Sequence, residues 1–376
     1  MPADLVGLVA GEASGDLIGA HLLQAMQQRW PELQAAGIGG PRLVAQGLQA
    51  WWLAERLSVM GYSDALKRLP ELLWIRRRLG TRLIQQRAKL FIGIDAPDFN
   101  LGLETRLRSA GLWTAHYVCP SIWAWRPERV TKIRAAADHV LCLFPFEPAL
   151  LREAGIAASF VGHPLASLIP AQSDQAAARV ALGLPEAGRV LALLPGSRAS
   201  EIAFILPPLL AAARQLVAQN PGLRVLLPIA PGLRAQVEAL THGHAVQLFD
   251  GRAHEILAAC DLTLVASGTA TLEAALFKRP MVIAYRVGES NYRRMKKLQL
   301  QPWVGLPNVL AREFLVPECL QDECTAENLA RAAQVWLDDP LAVERLQARF
   351  AELHDSLRAD SAHLALEALA PFIERR

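Results

Sequence analysis

The sequence lacks most of the features that name a chemistry outright. It has five cysteines in 376 residues, Cys119, Cys142, Cys260, Cys319 and Cys324. The number is odd and no Cys-x-x-Cys occurs, which excludes a disulfide framework and a structural zinc site and points to a reducing compartment. No Gly-x-Gly-x-x-Gly is present, so a dinucleotide fingerprint is not supported, and no Walker lysine follows a phosphate-type loop. There is no Gly-x-Ser-x-Gly elbow for a serine hydrolase. There is no Asp-x-Asp, so nothing suggests a sugar diphosphate held through a metal. Charge of one sign is missing as well. Thirty-nine Lys and Arg against 36 Asp and Glu leave +3, too even to imply nucleic acid as a partner. No apolar run approaches the roughly 18 residues of a spanning helix. An integral membrane protein is therefore not expected, although the mean hydropathy of +0.20 is high and fits a membrane-surface role. Met-Pro-Ala-Asp carries no basic region before its apolar stretch, so no signal peptide is expected.

What is present is apolar bulk in an alternating pattern. Fifty-two per cent of residues are apolar and 20% charged, enough for full cores and against a mainly disordered chain. At roughly 150 residues per domain the length suggests two domains, three at most. Leu5–Ala10, Leu90–Ile94, Trp113–Val118 and His139–Leu143 read as strands with helical stretches between them. The alternation restarts after 165 with Val190–Leu194, Arg224–Ile229, Ala245–Leu248, Leu262–Val265 and Met281–Tyr285. Strands alternating with helices build parallel sheets covered on both faces. The expectation is an α/β protein of two doubly wound Rossmann-like domains, over 1–168 and 169–345, facing a cleft. Ile169–Asp174 reads as the linker, and 346–376 as a helical segment whose packing against the first domain is open at this point.

Ligands of open parallel sheets bind beyond the carboxyl ends of the strands, so the polar residues just after each strand matter most. Gly11-Glu12-Ala13-Ser14-Gly15-Asp16 joins a strand to a helix. Its small residues let backbone N–H groups approach a ligand, and it reads equally as a turn capped by Ser14 or Asp16. Gly37–Pro41 reads as a second glycine-rich turn. Ile94-Asp95-Ala96-Pro97-Asp98-Phe99-Asn100 sets two carboxylates and an amide after a strand, with a proline fixing the turn. One carboxylate there suits a general base; the alternative is that Asp98 or Asn100 caps the next helix. In the second half, Pro195-Gly196-Ser197-Arg198 offers backbone donors and a guanidinium to a phosphate. Ser267-Gly268-Thr269-Ala270-Thr271-Leu272-Glu273 has hydroxyls and N–H groups that suit a diphosphate, with Glu273 one turn in to accept from ribose hydroxyls.

A third group concerns membranes. Leu66, Leu69, Leu72 and Leu73 recur at near-helical spacing beside Trp74, with Lys67, Arg68, Arg76, Arg77, Arg78 and Arg82 interleaved and Met60 and Tyr62 just before. An apolar stripe edged by basic residues suits an interfacial helix on anionic lipid, or a core stripe with a solvated face. Pro70 predicts two short helices, or one that starts near it. Seven of nine tryptophans precede residue 126, Trp123 and Trp125 among them, so amphipathic bulk is concentrated in this half.

Several of these segments, taken with others, resemble the signatures of the lipid-A-disaccharide synthase family. They are Gly11–Asp16, Ile92–Asn100, His116–Arg126, Phe144–Glu147, Gly162–Pro164, Leu193–Arg198, Ala266–Glu273 and Leu306–Asn308, in the family's order. Cys119 stands where Ser is usual, Ser167 where Asp often follows, and Gly61–Asp64 replaces a more apolar stretch. The resemblance implies a GT-B glycosyltransferase joining UDP-2,3-diacylglucosamine to 2,3-diacylglucosamine 1-phosphate, with a β-1,6 disaccharide phosphate and UDP as products. It implies Asp98 as base, with Asp95 not separable from it by sequence. It implies Arg198, Gly196, Ser197, Ser267, Gly268, Thr269, Thr271, Glu273 and Asn308 on the donor side. Glu12, Ser14, Asp95, Asn100, Trp123 and Trp125 then face the acceptor. No metal or other cofactor is expected. The implied location is the cytoplasmic face of the inner membrane of a Gram-negative bacterium, and oligomeric state is left open. The competing readings are another UDP-N-acetylglucosamine enzyme of the same fold and a non-catalytic nucleotide-sugar or lipid-binding protein.

Overall fold

The computed structural model describes residues 4–57, 62–124 and 126–374. Met60 and Trp125 lie outside the described residues, as do the side chains of Tyr62 and Leu66. The chain forms two compact units, Met1–Pro164 with Leu357–Arg376, and Leu165–Ser356.

The first unit is built on a seven-stranded sheet. Its strands are β1 (Leu5–Ala10), β2 (Gln34–Gly39), β3 (Gln49–Leu53), β4 (Leu90–Ile94), β5 (Trp113–Tyr117), β6 (His139–Cys142) and β7 (Ala158–Phe160). They lie in the order β3-β2-β1-β4-β5-β6-β7, and every pairing is parallel. The second unit has β8 (Val190–Leu194), β9 (Arg224–Ile229), β10 (Gln247–Asp250), β11 (Leu262–Ala266), β12 (Met281–Tyr285) and β13 (Glu318–Leu320). Their order is β10-β9-β8-β11-β12-β13, again all parallel. Parallel strands need helical crossovers, which bury both faces. That is why β4, β8 and β11 are buried at every position and, Thr263 of β11 apart, carry no polar side chain. In each sheet the strand order reverses once, between β1 and β4 and between β8 and β11. The crevice at such a point is where doubly wound sheets take ligands.

The C-terminal helix Ser361–Glu374 closes the first unit. Ala365, Leu366, Leu369 and Ile373 join Ile18, Leu22 and Met26 in one core, at roughly 1.5–3 kcal/mol for each large side chain buried. Arg29 reaches Glu374 at 2.8 Å across the same helix pair. The sequence pattern predicts a domain break at 168/169 and a C-terminal segment from 346. Contacts instead divide the chain at 164/165, and the helix Pro340–Leu357 belongs to the second unit up to Ser356. Ile169–Asp174 is not a free linker. Ile169 is buried, Ser173 accepts from Arg279 at 3.1 Å, and Asp174 caps the helix that follows.

Two local expectations are corrected. Gly37–Gly39 is strand rather than turn, because glycine lets β2 lie tight against β1: a Cβ on Gly37, at φ +154°, would strike the Leu8 carbonyl. The helix Tyr62–Gln85 runs through Pro70 unbroken. Pro70 is exposed, where water can take the carbonyl it frees one turn back. Ala199–Gln219 is long and apolar enough to cross a membrane, although no continuous apolar run announces it. Ile202, Ile205, Leu206, Leu209, Leu210 and Leu216 of this helix are buried in the second core.

Candidate functional site

In the first unit the loops leaving β1 and β4 meet at the reversal of strand order. A Cβ on Gly15 would lie 3.6 Å from the Ile94 carbonyl, and one on Gly11 would lie 3.8 Å from Ala96 Cβ. Both are ordinary van der Waals distances, so the two loops lie side by side here. Glu12 and Ser14 are exposed at the start of the helix Ala13–Arg29, whose first turn has no side-chain cap. Asp16, one expected cap, is buried and serves another helix. Its carboxylate accepts from the N–H groups of Gly40 (2.7 Å), Arg42 (2.9 Å) and Leu43 (3.2 Å).

The turn after β4 is strained. Asp95 and Ala96 are consecutive non-glycine residues in the left-handed region, at φ +54° and +43°, a cost of roughly 1–3 kcal/mol each. Asn100 supports the turn by donating Nδ2 to the Asp95 carbonyl at 2.8 Å. Asn100 is fully buried, so it holds the loop from beneath and does not face an acceptor as expected. Pro97 then opens the helix Pro97–Ser109 with Asp98 in its first turn. The Asp98 side chain is 87% exposed, and its Oδ1 accepts from Arg129 Nη2 at 2.6 Å. Under the loop, Glu104 and His116 are fully buried and joined at 2.7 Å. Burial pushes the Glu104 carboxyl up.

Trp123 is half-buried rather than presented to a ligand. Its Nε1 donates to Glu147 Oε1 at 3.0 Å, and its ring meets Phe144 and Phe146 edge-on. Burial pushes Glu147 up to about 7. Cys119, Cys142 and Glu147 are the one group among the described residues whose donor atoms cluster closely enough for a metal. Both Glu147 oxygens already accept hydrogen bonds, from Trp123 and from the Phe144 N–H, so the cluster holds itself together.

In the second unit the loops after β8 and β11 flank the other reversal. Gly196 adopts φ +110°. The N–H groups of Ser197 and Arg198 point to one carboxylate, Glu201 Oε2, at 2.9 and 3.2 Å, while Arg198 Nη1 reaches Oε1 at 2.8 Å. The donors expected for a phosphate are thus grouped on an anion, but that anion is the chain's own. After β11, Ser267 Oγ donates to the Val304 carbonyl at 2.9 Å and Thr271 Oγ1 to Gly268 O at 2.8 Å. Both hydroxyls fix the loop. Gly268, at φ +146°, and Thr269 are exposed at the start of the uncapped helix Thr269–Leu276. Glu273 is half-buried, 3.0 Å from His254 Nε2.

Asn308 departs from its expected role. It is fully buried; its amide donates to the Val316 carbonyl and Glu318 and accepts from the Val316 N–H. With its hydrogen bonds used inside the unit, it shapes the 304–318 segment and presents nothing to a nucleotide. Glu318 completes this by accepting from the Val304 and Gly305 N–H groups. Sequence reasoning passed over Arg129, Glu201, His254 and Glu318. Only Glu201 carried a signal, the acidic third residue of a helix that closes a capping box.

On the basic helix of the first unit, Ile75, Leu79 and Leu83 enter the core, whereas Leu69, Leu73 and Trp74 are 47%, 44% and 55% exposed. The exposed set is therefore not the core stripe. Trp52, Trp74, Arg77, Arg78 and Arg82 line an open groove of about 750 Å³ beside it.

Residues 6–369 match the lipid-A-disaccharide synthetase family. A lipid-A-disaccharide synthase from Verminephrobacter eiseniae is 56% identical over 97% of this chain and 96% of its own. One from Pseudomonas aeruginosa is 51% identical over 99% and 98%. The chain belongs to the lipid-A-disaccharide synthase family. Members of this family are UDP-sugar glycosyltransferases, and the chain is an enzyme of that class. The two parallel-sheet units are those of GT-B glycosyltransferases and related epimerases. A UDP-N-acetylglucosamine 2-epimerase from Neisseria meningitidis, bound to UDP-N-acetylglucosamine, shares the fold at TM-score 0.66 and 11% identity over 98% of this chain and 99% of its own. A glycosyltransferase from Rickettsia africae does so at 0.59 and 10% over 99% of each.

Proposed function

We propose that this synthase transfers 2,3-diacylglucosamine from its UDP derivative to the 6-hydroxyl of 2,3-diacylglucosamine 1-phosphate, with inversion. The observation that carries the reading is the exposed Asp98 carboxylate, set by a strained turn beside Arg129 at the strand reversal of the first unit. Asp98 takes the proton of the acceptor 6-hydroxyl. The oxygen attacks the anomeric carbon from the face opposite UDP, the bond to the diphosphate oxygen breaks, and the α donor yields a β-1,6 linkage. The leaving UDP keeps the electron pair, and its added charge is met by Arg198 and the open helix start at Gly268–Thr269. Glu273 accepts from the ribose hydroxyls. Glu12 and Ser14, exposed beside the Asp98 turn, contact the acceptor. Asp95, in the same turn, is the alternative base. With cationic and helix-end stabilisation supplied by the chain, the reaction needs no metal.

The acyl chains imply a membrane-surface enzyme on the cytoplasmic face of the inner membrane. Exposed Leu69, Leu73 and Trp74 beside Arg77 and Arg78 support contact with anionic lipid. The test is UDP release in detergent micelles with both acylated substrates, with and without EDTA. Release that needs both lipids, survives EDTA and yields the disaccharide supports the reading. Equal turnover of unacylated UDP-N-acetylglucosamine would transfer it to a soluble-sugar enzyme. Loss of turnover in EDTA would contradict the metal-free step.

A further inference from the structure

Glu273 is not free to choose its rotamer. Its Oε1 lies 3.0 Å from the Nε2 of His254, on the neighbouring helix Ala253–Ala259. The imidazole is itself held. Its ring leans on Phe277 at 5.5 Å between centroids, with the planes at 60°. The adjacent carboxylate, Glu255, is paired with Arg252 and does not draw the histidine away. The hydrogen bond to Glu273 holds the imidazole above its ordinary value, against the effect of burial. His254 is about half exposed and Glu273 about one-fifth, so the pair sits at the edge of the strand-reversal site with the carboxylate as its inner member.

We infer that His254 is a positioning residue for nucleotide recognition: it fixes the Glu273 carboxylate so that its second oxygen accepts from the ribose 2′- and 3′-hydroxyls. The inference rests on the proposed ribose role of Glu273 and adds the group that aims it. A carboxylate on a rotatable stem loses conformational freedom when it binds a diol, and a carboxylate already tethered through one oxygen has less to lose. His254 touches no substrate. Its contribution appears only with ligands that carry the ribose hydroxyls.

The experiment measures the affinity of the full-length protein for UDP and for 2′,3′-dideoxy-UDP by calorimetry. The proteins are wild type, His254→Ala, His254→Gln and Glu273→Gln. H254A is expected to weaken UDP about 5- to 10-fold, the scale of one hydrogen bond, and to leave the dideoxy nucleotide within about twofold. H254Q, whose amide can donate to Glu273, is expected to recover most of the loss. E273Q is expected to remove most of the preference for UDP over its dideoxy analogue. If E273Q leaves that preference intact, the ribose reading fails and the inference falls with it. If E273Q removes the preference while H254A leaves UDP binding unchanged, or weakens both nucleotides alike, the ribose reading stands and the role of His254 is overturned.

Discussion

Asp98 and Arg129 form a 2.6 Å ion pair in which the acid is 87% exposed and the base only 12%. The guanidinium is thus the fixed member, and it anchors one carboxylate oxygen while the other stays open to a ligand. Arg129→Gln is expected to lower kcat about tenfold, the scale of one charge-assisted hydrogen bond. KM for both lipids should stay within about twofold, since Arg129 acts through Asp98. Steady-state kinetics in micelles check this. A loss confined to KM would place Arg129 in substrate binding instead.

Glu201 and a diphosphate would compete for the same donors, Arg198 and the loop N–H groups. Glu201 now takes the guanidinium and the two N–H groups of the loop. Arg198→Ala is expected to weaken UDP about tenfold or more and to leave uridine unaffected. Glu201→Gln keeps an acceptor for the loop N–H groups and removes the competing charge, so UDP should bind as tightly as to wild type or tighter. Calorimetry with UDP and uridine separates the outcomes. Equal losses for UDP and uridine in R198A would remove Arg198 from diphosphate binding.

Two buried groups in the first unit titrate in opposite senses. Burial raises Glu147 from its ordinary 4.5 to about 7 and lowers His163 from 6.5 to about 4. Between pH 4.5 and 7 the folded state holds a proton on Glu147 that the unfolded chain releases, so this group makes stability fall as pH rises. Between pH 4 and 6.5 the unfolded chain protonates His163 and the folded state does not, so this group makes stability rise. Each is worth roughly 3 kcal/mol in total, and the two slopes nearly cancel between pH 4.5 and 6.5. Glu147→Gln should leave stability rising with pH in that window, and His163→Asn should leave it falling. Urea unfolding at pH 5 and 6.5 measures both. Parallel profiles for the two variants would contradict the assignment.

Asp16 is a structural carboxylate inside a sequence motif that invites a functional reading. Asp16→Ala would orphan the N–H groups of Gly40, Arg42 and Leu43. A loss of about 3 kcal/mol is expected, read as a lower denaturant midpoint with an unchanged slope. An unchanged midpoint would show that water replaces the carboxylate.

The strands that were plain in the sequence are those buried on both faces, such as Leu5–Ala10 and Leu90–Ile94, because continuous apolar runs between turn residues have few other uses. Gln34–Gly39 was hidden because Gly37 and Gly39 look like a turn until β1 is seen lying against them. The loops after β1, β8 and β11 were legible as small and hydroxyl residues opening helices, and the loop after β4 as two carboxylates and an amide about a proline. What each side chain faces was not. Asn100 and Asn308 sit in the first turns of helices, Pro97–Ser109 and Leu306–Ala311, with their amides turned into the protein. Asp98 meets its arginine 31 residues away, and Glu273 its histidine 19 residues away. Those partners are chosen by tertiary packing, which leaves no spacing signal. Glu201 shows the same limit from the other side: its capping pattern was local, but that it would occupy the phosphate donors depended on Gly196 adopting φ +110°.

The central claim is that Asp98 removes the acceptor proton. Its most direct test is single-turnover formation of the disaccharide by Asp98→Asn, with UDP affinity and denaturant midpoint measured on the same protein. The account predicts a rate about 10²- to 10⁴-fold below wild type, the usual worth of a positioned general base, with UDP binding and stability unchanged. A near-normal rate from D98N would contradict it and pass the role to Asp95 or to another group.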